Sequence, residues 1–172
     1  MTSSDLLVDA YGRVKEEVDA VVAGLTADQL AHRIDPDANS IGWLAWHLTR
    51  VQDDHIADAA ELDQVWLTDG WADRFALPFD PHATGYGHSS AEVAAVRVPS
   101  GDLLTGYHDA VYEQTIAYVE KLTDADLSRI VDTRWDPPVS LGVRLVSVIG
   151  DGLAHAGQAA YVRGVLERTG VR

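Results

Sequence analysis

Apolar residues recur at helical spacing along most of this chain, and that periodicity leaves few architectures open. Leu6, Leu7, Ala10, Val14, Val18, Val21 and Val22 share one face of a helix expected from about 5 to 25, with Ser3 or Ser4 as its cap. Thr26-Ala-Asp-Gln-Leu30 reads as a short capped turn. Ser40 opens a second long helix to about 62, with Ile41, Trp43, Leu44, His47, Leu48, Val51, Asp54, His55 and Ala59 on its inner side. Ser100 opens a third, through Leu104, Tyr107, His108, Val111, Thr115, Tyr118 and Leu122. Thr123-Asp-Ala-Asp126 resembles a capping box with Asp in place of Glu. Pro137 and Pro138 keep 130–140 extended, and Ser140 caps a final helix to about 168. Four long helices with short ones between them predict an all-α four-helix bundle, one domain over 1–172.

Between 63 and 99 the pattern dissolves. Gly70, Pro78, Pro81, Gly85 and Gly87 interrupt Trp66, Trp71, Phe75, Phe79 and Tyr86. This predicts a long aromatic loop between the second and third long helices. Such a loop is often functional, or else a packed connection across one end of the bundle.

Composition narrows the chemistry. With 172 residues the chain can bury roughly 70% of its unfolded surface, so it needs no disulfide or structural metal to fold. It contains no cysteine, which excludes a disulfide framework, a Cys-based zinc or iron–sulfur site and a cysteine nucleophile. Any thiol chemistry must use a thiol from outside. Thirteen Lys and Arg against 27 Asp and Glu give a net charge of −14. That surface repels phosphate backbones and anionic lipid, so no nucleic-acid or membrane partner is expected. Neither a signal-peptide pattern at the start nor a run of ~18 apolar residues is seen, and a cytoplasmic location is expected.

The residues able to carry chemistry concentrate in the last helix. Asp151 and His155 are four apart and Gln158 follows by three, so all three project from one face. On an exposed helix an Asp–His pair at this spacing is an ordinary ion pair. Here Leu145, Val148, Ile149, Ala159 and Val162 place it near the core, where a charge needs a partner or a metal. Gly152, Ala154, Ala156, Gly157 and Ala159 are small enough to admit another helix or a ligand. His47, in the apolar stretch Trp43-Leu-Ala-Trp-His-Leu-Thr-Arg50, is the natural third ligand. Two imidazoles and a carboxylate from facing helices would leave coordination positions open. Asp54 lies two turns beyond His47 and is a candidate base, while His55 sits among Asp53, Asp54 and Asp58.

A His in the second long helix, followed by acid-x-x-x-His-x-x-Gln in the last, resembles the DinB-like superfamily and its DUF664 group. Trp46-His-Leu-Thr-Arg-Val-Gln-Asp-Asp-His55, Asp69-Gly-Trp-Ala, Arg134-Trp-Asp-Pro-Pro-Val-Ser and His155-Ala-Gly-Gln-Ala-Ala-Tyr-Val-Arg-Gly carry the likeness. It covers essentially the whole chain. Many members use three histidines, whereas Asp151 stands where the first His of the last helix would fall. In that respect the chain is closer to mycothiol-dependent maleylpyruvate isomerase, whose site is His, Glu and His. The resemblance implies a DinB-like four-helix bundle, a homodimer, and one divalent metal, zinc or nickel, held by His47, Asp151 and His155. It also implies an external thiol such as mycothiol in an S-transferase or isomerase reaction on a small-molecule substrate. In that setting Gln158 and Asp54 would orient ligand or bound water, and Arg144 and Arg163 are candidate anchors for a substrate carboxylate. Trp71, in the aromatic loop, would wall the pocket. The same ligands would also serve a metal-dependent hydrolase or a metal-stabilised binding dimer.

Overall fold

The computed structural model describes residues 1–170. Four long helices carry it: α1 (Ser3–Val22), α3 (Ile41–Ala60), α7 (Gly101–Val119) and α8 (Leu141–Thr169). α3 packs against α7 and α8, and α1 against the same two, so the four close a square bundle as expected. None of the described helices is long and apolar enough to cross a membrane.

Local chemistry sets where each helix starts. α1 begins a residue or two earlier than the apolar stripe suggests. The cap is Thr2, not Ser3 or Ser4, because its hydroxyl accepts from the Asp5 amide while the Asp5 carboxylate accepts from the Thr2 amide. Thr26 and Gln29 close the same reciprocal pair over α2 (Ala27–Ala31). The Ser40 and Ser140 hydroxyls accept from the Trp43 and Val143 amides and so fix the first turns of α3 and α8.

The segment from 63 to 99, expected as a long aromatic loop or a packed connection, crosses one end of the bundle and is in part helical. It contains α4 (Val65–Thr68), α5 (Trp71–Phe75) and α6 (Ser90–Ala95). Helices this short leave no readable period and rest on local devices. Ser89 and Glu92 cap α6 reciprocally, and Gly70 takes the left-handed conformation (φ 72°) that starts α5. The segment lies over one end of the bundle, burying Trp66, Phe75, Val93, Val96 and Val98 with Trp43, Trp46, Leu104 and Tyr107. A second core at Tyr11, Ile56, Val119, Leu141, Leu145 and Val148 fills the other end.

α4 is pinned through a buried ion pair. Asp53 and Arg50 on α3 have fully buried side chains, 3.5 Å apart. The Asp53 carboxylate accepts from the Trp66 amide (2.8 Å), the Val65 amide (3.0 Å) and the Tyr107 hydroxyl (2.8 Å). Burial pushes its carboxyl up, and those donors and the guanidinium pull it back. Arg50 is satisfied by the Gln64 side chain, the Ala83 carbonyl and the Tyr107 hydroxyl.

Of residues 130–140, expected to be extended, β1 (Ile130–Asp132) and β2 (Val139–Ser140) form an antiparallel ribbon, and residues 134–137 between them bend. A 3₁₀ turn at Asp126–Ser128 precedes it, with the Asp126 carboxylate accepting from the Thr123 amide and hydroxyl.

Candidate metal centre

α3 supplies His47, and α8 supplies Asp151 and His155 one turn apart. One nitrogen or oxygen from each lies within 4.8 Å of the others. The His155 Nε2 is 3.4 Å from the Asp151 Oδ1, and the two imidazole centroids are 4.9 Å apart. The small residues of α8 partly explain this closeness. A Cβ on Gly152 would stand 3.1 Å from Val14, so α1 presses close behind the Asp151 turn.

Each imidazole already has one nitrogen occupied. His47 Nδ1 donates to the Thr84 carbonyl at 2.5 Å, which leaves Nε2 with its lone pair. His155 Nδ1 lies 3.4 Å from the Gln158 amide oxygen, which likewise leaves Nε2. Burial pushes His47 down, opposed by the Thr84 bond, while the adjacent Asp151 carboxylate pushes His155 up. Asp151 Oδ2 is buried and without a hydrogen-bond partner among the described residues. An orphaned carboxylate oxygen beside two imidazole lone pairs is costly unless a cation sits there. A nitrogen–nitrogen–oxygen set whose histidines donate their other N–H outward fits a divalent ion.

The segment Thr84–His88 clamps His47 from outside the helices. A Cβ on Gly85 (φ +92°) would stand 2.8 Å from His47 Nδ1 and 3.0 Å from the Trp46 ring. Trp43 stacks on His47 with centroids 4.5 Å apart and donates its indole N–H to His88 Nδ1 at 3.2 Å. His88 is packed between Trp46 and Phe79. Gly85→Ala is expected to cost at least about 1–2 kcal/mol from left-handed strain alone. A thermal melt should show a drop of several degrees with helical content unchanged.

Beside the three residues opens a cavity of about 640 Å³. His47, Asp54, His55, Ser147 and Asp151 line its depth, and Tyr86 and Trp135, both well exposed, form its rim. Burial and the Arg144 charge push His55 down. Asp54 accepts from the Gln64 amide at 2.8 Å.

The other expected substrate contacts are placed differently. Arg144 reaches the cavity wall, but its guanidinium donates to Asp132 at 2.7 Å. Asp132 also takes two bonds from the Arg134 guanidinium, and these hold its carboxyl well below the usual carboxylate range. Arg163 lies outside the cavity wall. It donates to the carbonyls of Ala20, Val21 and Ala23, closing the C-terminal end of α1, where carbonyls otherwise lack partners. Trp71 is also outside the wall, packed on Tyr107 and under the Arg74 guanidinium. Sequence reasoning missed Thr84, Gly85, His88, Asp132 and Trp135. Only the Gly85-x-Gly87 pair hinted at a chain that approaches another closely.

A crystal structure of a conserved protein from Enterococcus faecalis is similar to this chain. The two are 32% identical, the match covers 95% of this chain and 96% of that one, and the TM-score is 0.88. No curated protein matches. The family model described as mycothiol-S-transferase matches residues 6–168, a span that includes His47, Asp151 and His155 and nearly all of the four long helices. The chain therefore belongs to the mycothiol-S-transferase family.

Proposed function

We propose that this protein is a metal-dependent enzyme that joins a low-molecular-weight thiol, such as mycothiol, to a small electrophile. The observation that carries this reading is the convergence of His47, Asp151 and His155 at the edge of an open cavity of about 640 Å³. A divalent ion held there would lower the pKa of a bound thiol, supplying a nucleophile that a chain without cysteine lacks.

The chain's own residues do the rest. The Thr84 carbonyl fixes the His47 tautomer, and Gln158 orients His155. Asp54 opens on the same cavity and takes the thiol proton, directly or through water. The sulfur–carbon bond then forms as the leaving group departs. Tyr86 and Trp135 supply apolar faces at the rim for the body of the electrophile.

The test compares conjugation of mycothiol to a fluorogenic alkyl halide by wild type, chelated protein and His47→Ala. Wild type should run well above background, and chelation or loss of His47 should remove most of the excess. Equal rates in all three, or none above background with any biological thiol, would overturn the transferase reading.

A further inference from the structure

Arg50 touches two parts of the candidate site without lining its cavity, and its side chain is fully buried. Nη1 lies 3.5 Å from the Asp53 carboxylate and donates to the Tyr107 hydroxyl at 3.3 Å. Those contacts belong to the ion pair that pins α4. The other two bonds lead elsewhere. Nη2 donates to Gln64 Oε1 at 2.9 Å, and Nε donates to the Ala83 carbonyl at 3.2 Å.

The first of these bonds leads to Asp54. A guanidinium only donates, so Gln64 must turn its oxygen to Arg50 and its amide N–H the other way. That N–H reaches Asp54 Oδ1 at 2.8 Å. Oδ1 is therefore engaged, and Oδ2 is left to take a proton. The second bond leads to His47. Ala83 precedes Thr84, whose carbonyl accepts from His47 Nδ1. Two consecutive carbonyls of the Thr84–His88 strap and its approach are thus bound, one by Arg50 and the next by the imidazole.

A buried ion pair is a weak source of stability, and well-packed apolar side chains often serve as well. Apolar side chains cannot hold two acceptors at fixed angles, which a planar guanidinium does. We infer that Arg50 is a positioning residue of the site, setting the Asp54 carboxylate through Gln64 and the His47 imidazole through the Ala83–Thr84 backbone. The inference rests on the metal-dependent conjugation proposed above. Its two arms come apart by substitution, since Gln64→Ala breaks the Asp54 arm alone and Arg50→Met breaks both.

The experiment compares wild type, Arg50→Met, Gln64→Ala and Val119→Ala, the last a loss of packing in the core at the other end of the bundle. Each is loaded with Co²⁺ and followed by visible absorption and by competition with a chelator. Values of kcat and KM for conjugation of mycothiol to the alkyl halide are then measured at saturating metal. Arg50→Met should bind Co²⁺ about 10–100-fold more weakly, the usual loss when an outer support of a ligand is removed, and with a changed spectrum. Gln64→Ala should keep the affinity and the spectrum and lose about 10-fold or more in kcat at unchanged KM. Val119→Ala should melt lower with affinity, spectrum and kcat unchanged. If Arg50→Met does not fold, Arg50→Lys takes its place with the same expectation, because it keeps a cation beside Asp53 but lacks the fork. Wild-type affinity and spectrum in the Arg50 variant, wild-type kcat in Gln64→Ala, or an equal loss of affinity in Val119→Ala would each overturn the inference. A wild type that binds Co²⁺ but conjugates no thiol would overturn the proposed reaction and the Asp54 arm, while the His47 arm is still decided by the affinities. A wild type that binds no Co²⁺ would overturn both.

Discussion

His155→Ala is expected to leave the purified protein without stoichiometric metal. His155 is one of three donors, and its removal leaves two, while the loss of a mere supporting partner already costs 10–100-fold in affinity. Losing the ligand itself should therefore weaken binding by more than about 100-fold. Elemental analysis after dialysis, followed by competition with a chelator, reads this directly. The helices should persist, because the apolar cores at both ends of the bundle do not involve His155. Heat resistance supplies a second readout. A ligand at 100 times its dissociation constant stabilises the folded state by about 2.7 kcal/mol. Wild type should thus melt several degrees higher with metal than after chelation, and His155→Ala should show no difference. One ion per chain in the variant would place the metal elsewhere.

The second large effect is expected at Asp53, away from the metal. Asp53→Ala removes the acceptor for two backbone amides and a tyrosine hydroxyl and leaves the Arg50 guanidinium buried without its carboxylate. Breaking a buried pair from one side costs about 3–5 kcal/mol. For a chain of this length that is a fall in melting temperature on the order of 10 °C. Arg50→Met should cost less, since Asp53 keeps three donors when the guanidinium is gone. Urea titrations of the two variants against wild type give the comparison, with unchanged slopes marking a pure loss of stability. A fall smaller for Asp53→Ala than for Arg50→Met would contradict the assignment of Asp53 as the acceptor that holds α4.

The four long helices were legible because their apolar stripes run five turns or more, and Ser40 and Ser140 cap two of them as read, whereas α1 is capped by Thr2 and the Ser100 hydroxyl makes no capping bond. The juxtaposition of His47 with Asp151 and His155 was legible for a related reason. Spacing put the last two on one face, and the apolar setting of His47 pointed it inward. What stayed hidden comes from segments without a period. α4, α5 and α6 are four to six residues long, and α4 starts on a carboxylate twelve residues upstream. Thr84 acts through its carbonyl, which no side-chain pattern reports. Arg144 and Arg163 illustrate a different gap. A sequence shows that a cation is present but not what already pairs with it, and both have partners within the chain.

The shared carboxylate of Asp132 has a consequence for selectivity. Both guanidiniums on the cavity wall, Arg134 and Arg144, are turned onto that one side chain. The lining holds three carboxylates (Asp54, Asp132, Asp151) against those two guanidiniums, so it carries one net negative charge with its histidines neutral. A divalent ion held by His47, Asp151 and His155 would reverse the sign of that sum, so what the wall itself withholds from an anionic electrophile is a partner, since no guanidinium among the described lining residues is unengaged. A neutral electrophile needs no such partner, and its uncharged body can rest on the tryptophan and tyrosine at the rim. The wall thus discriminates by charge before any fit of shape is tested.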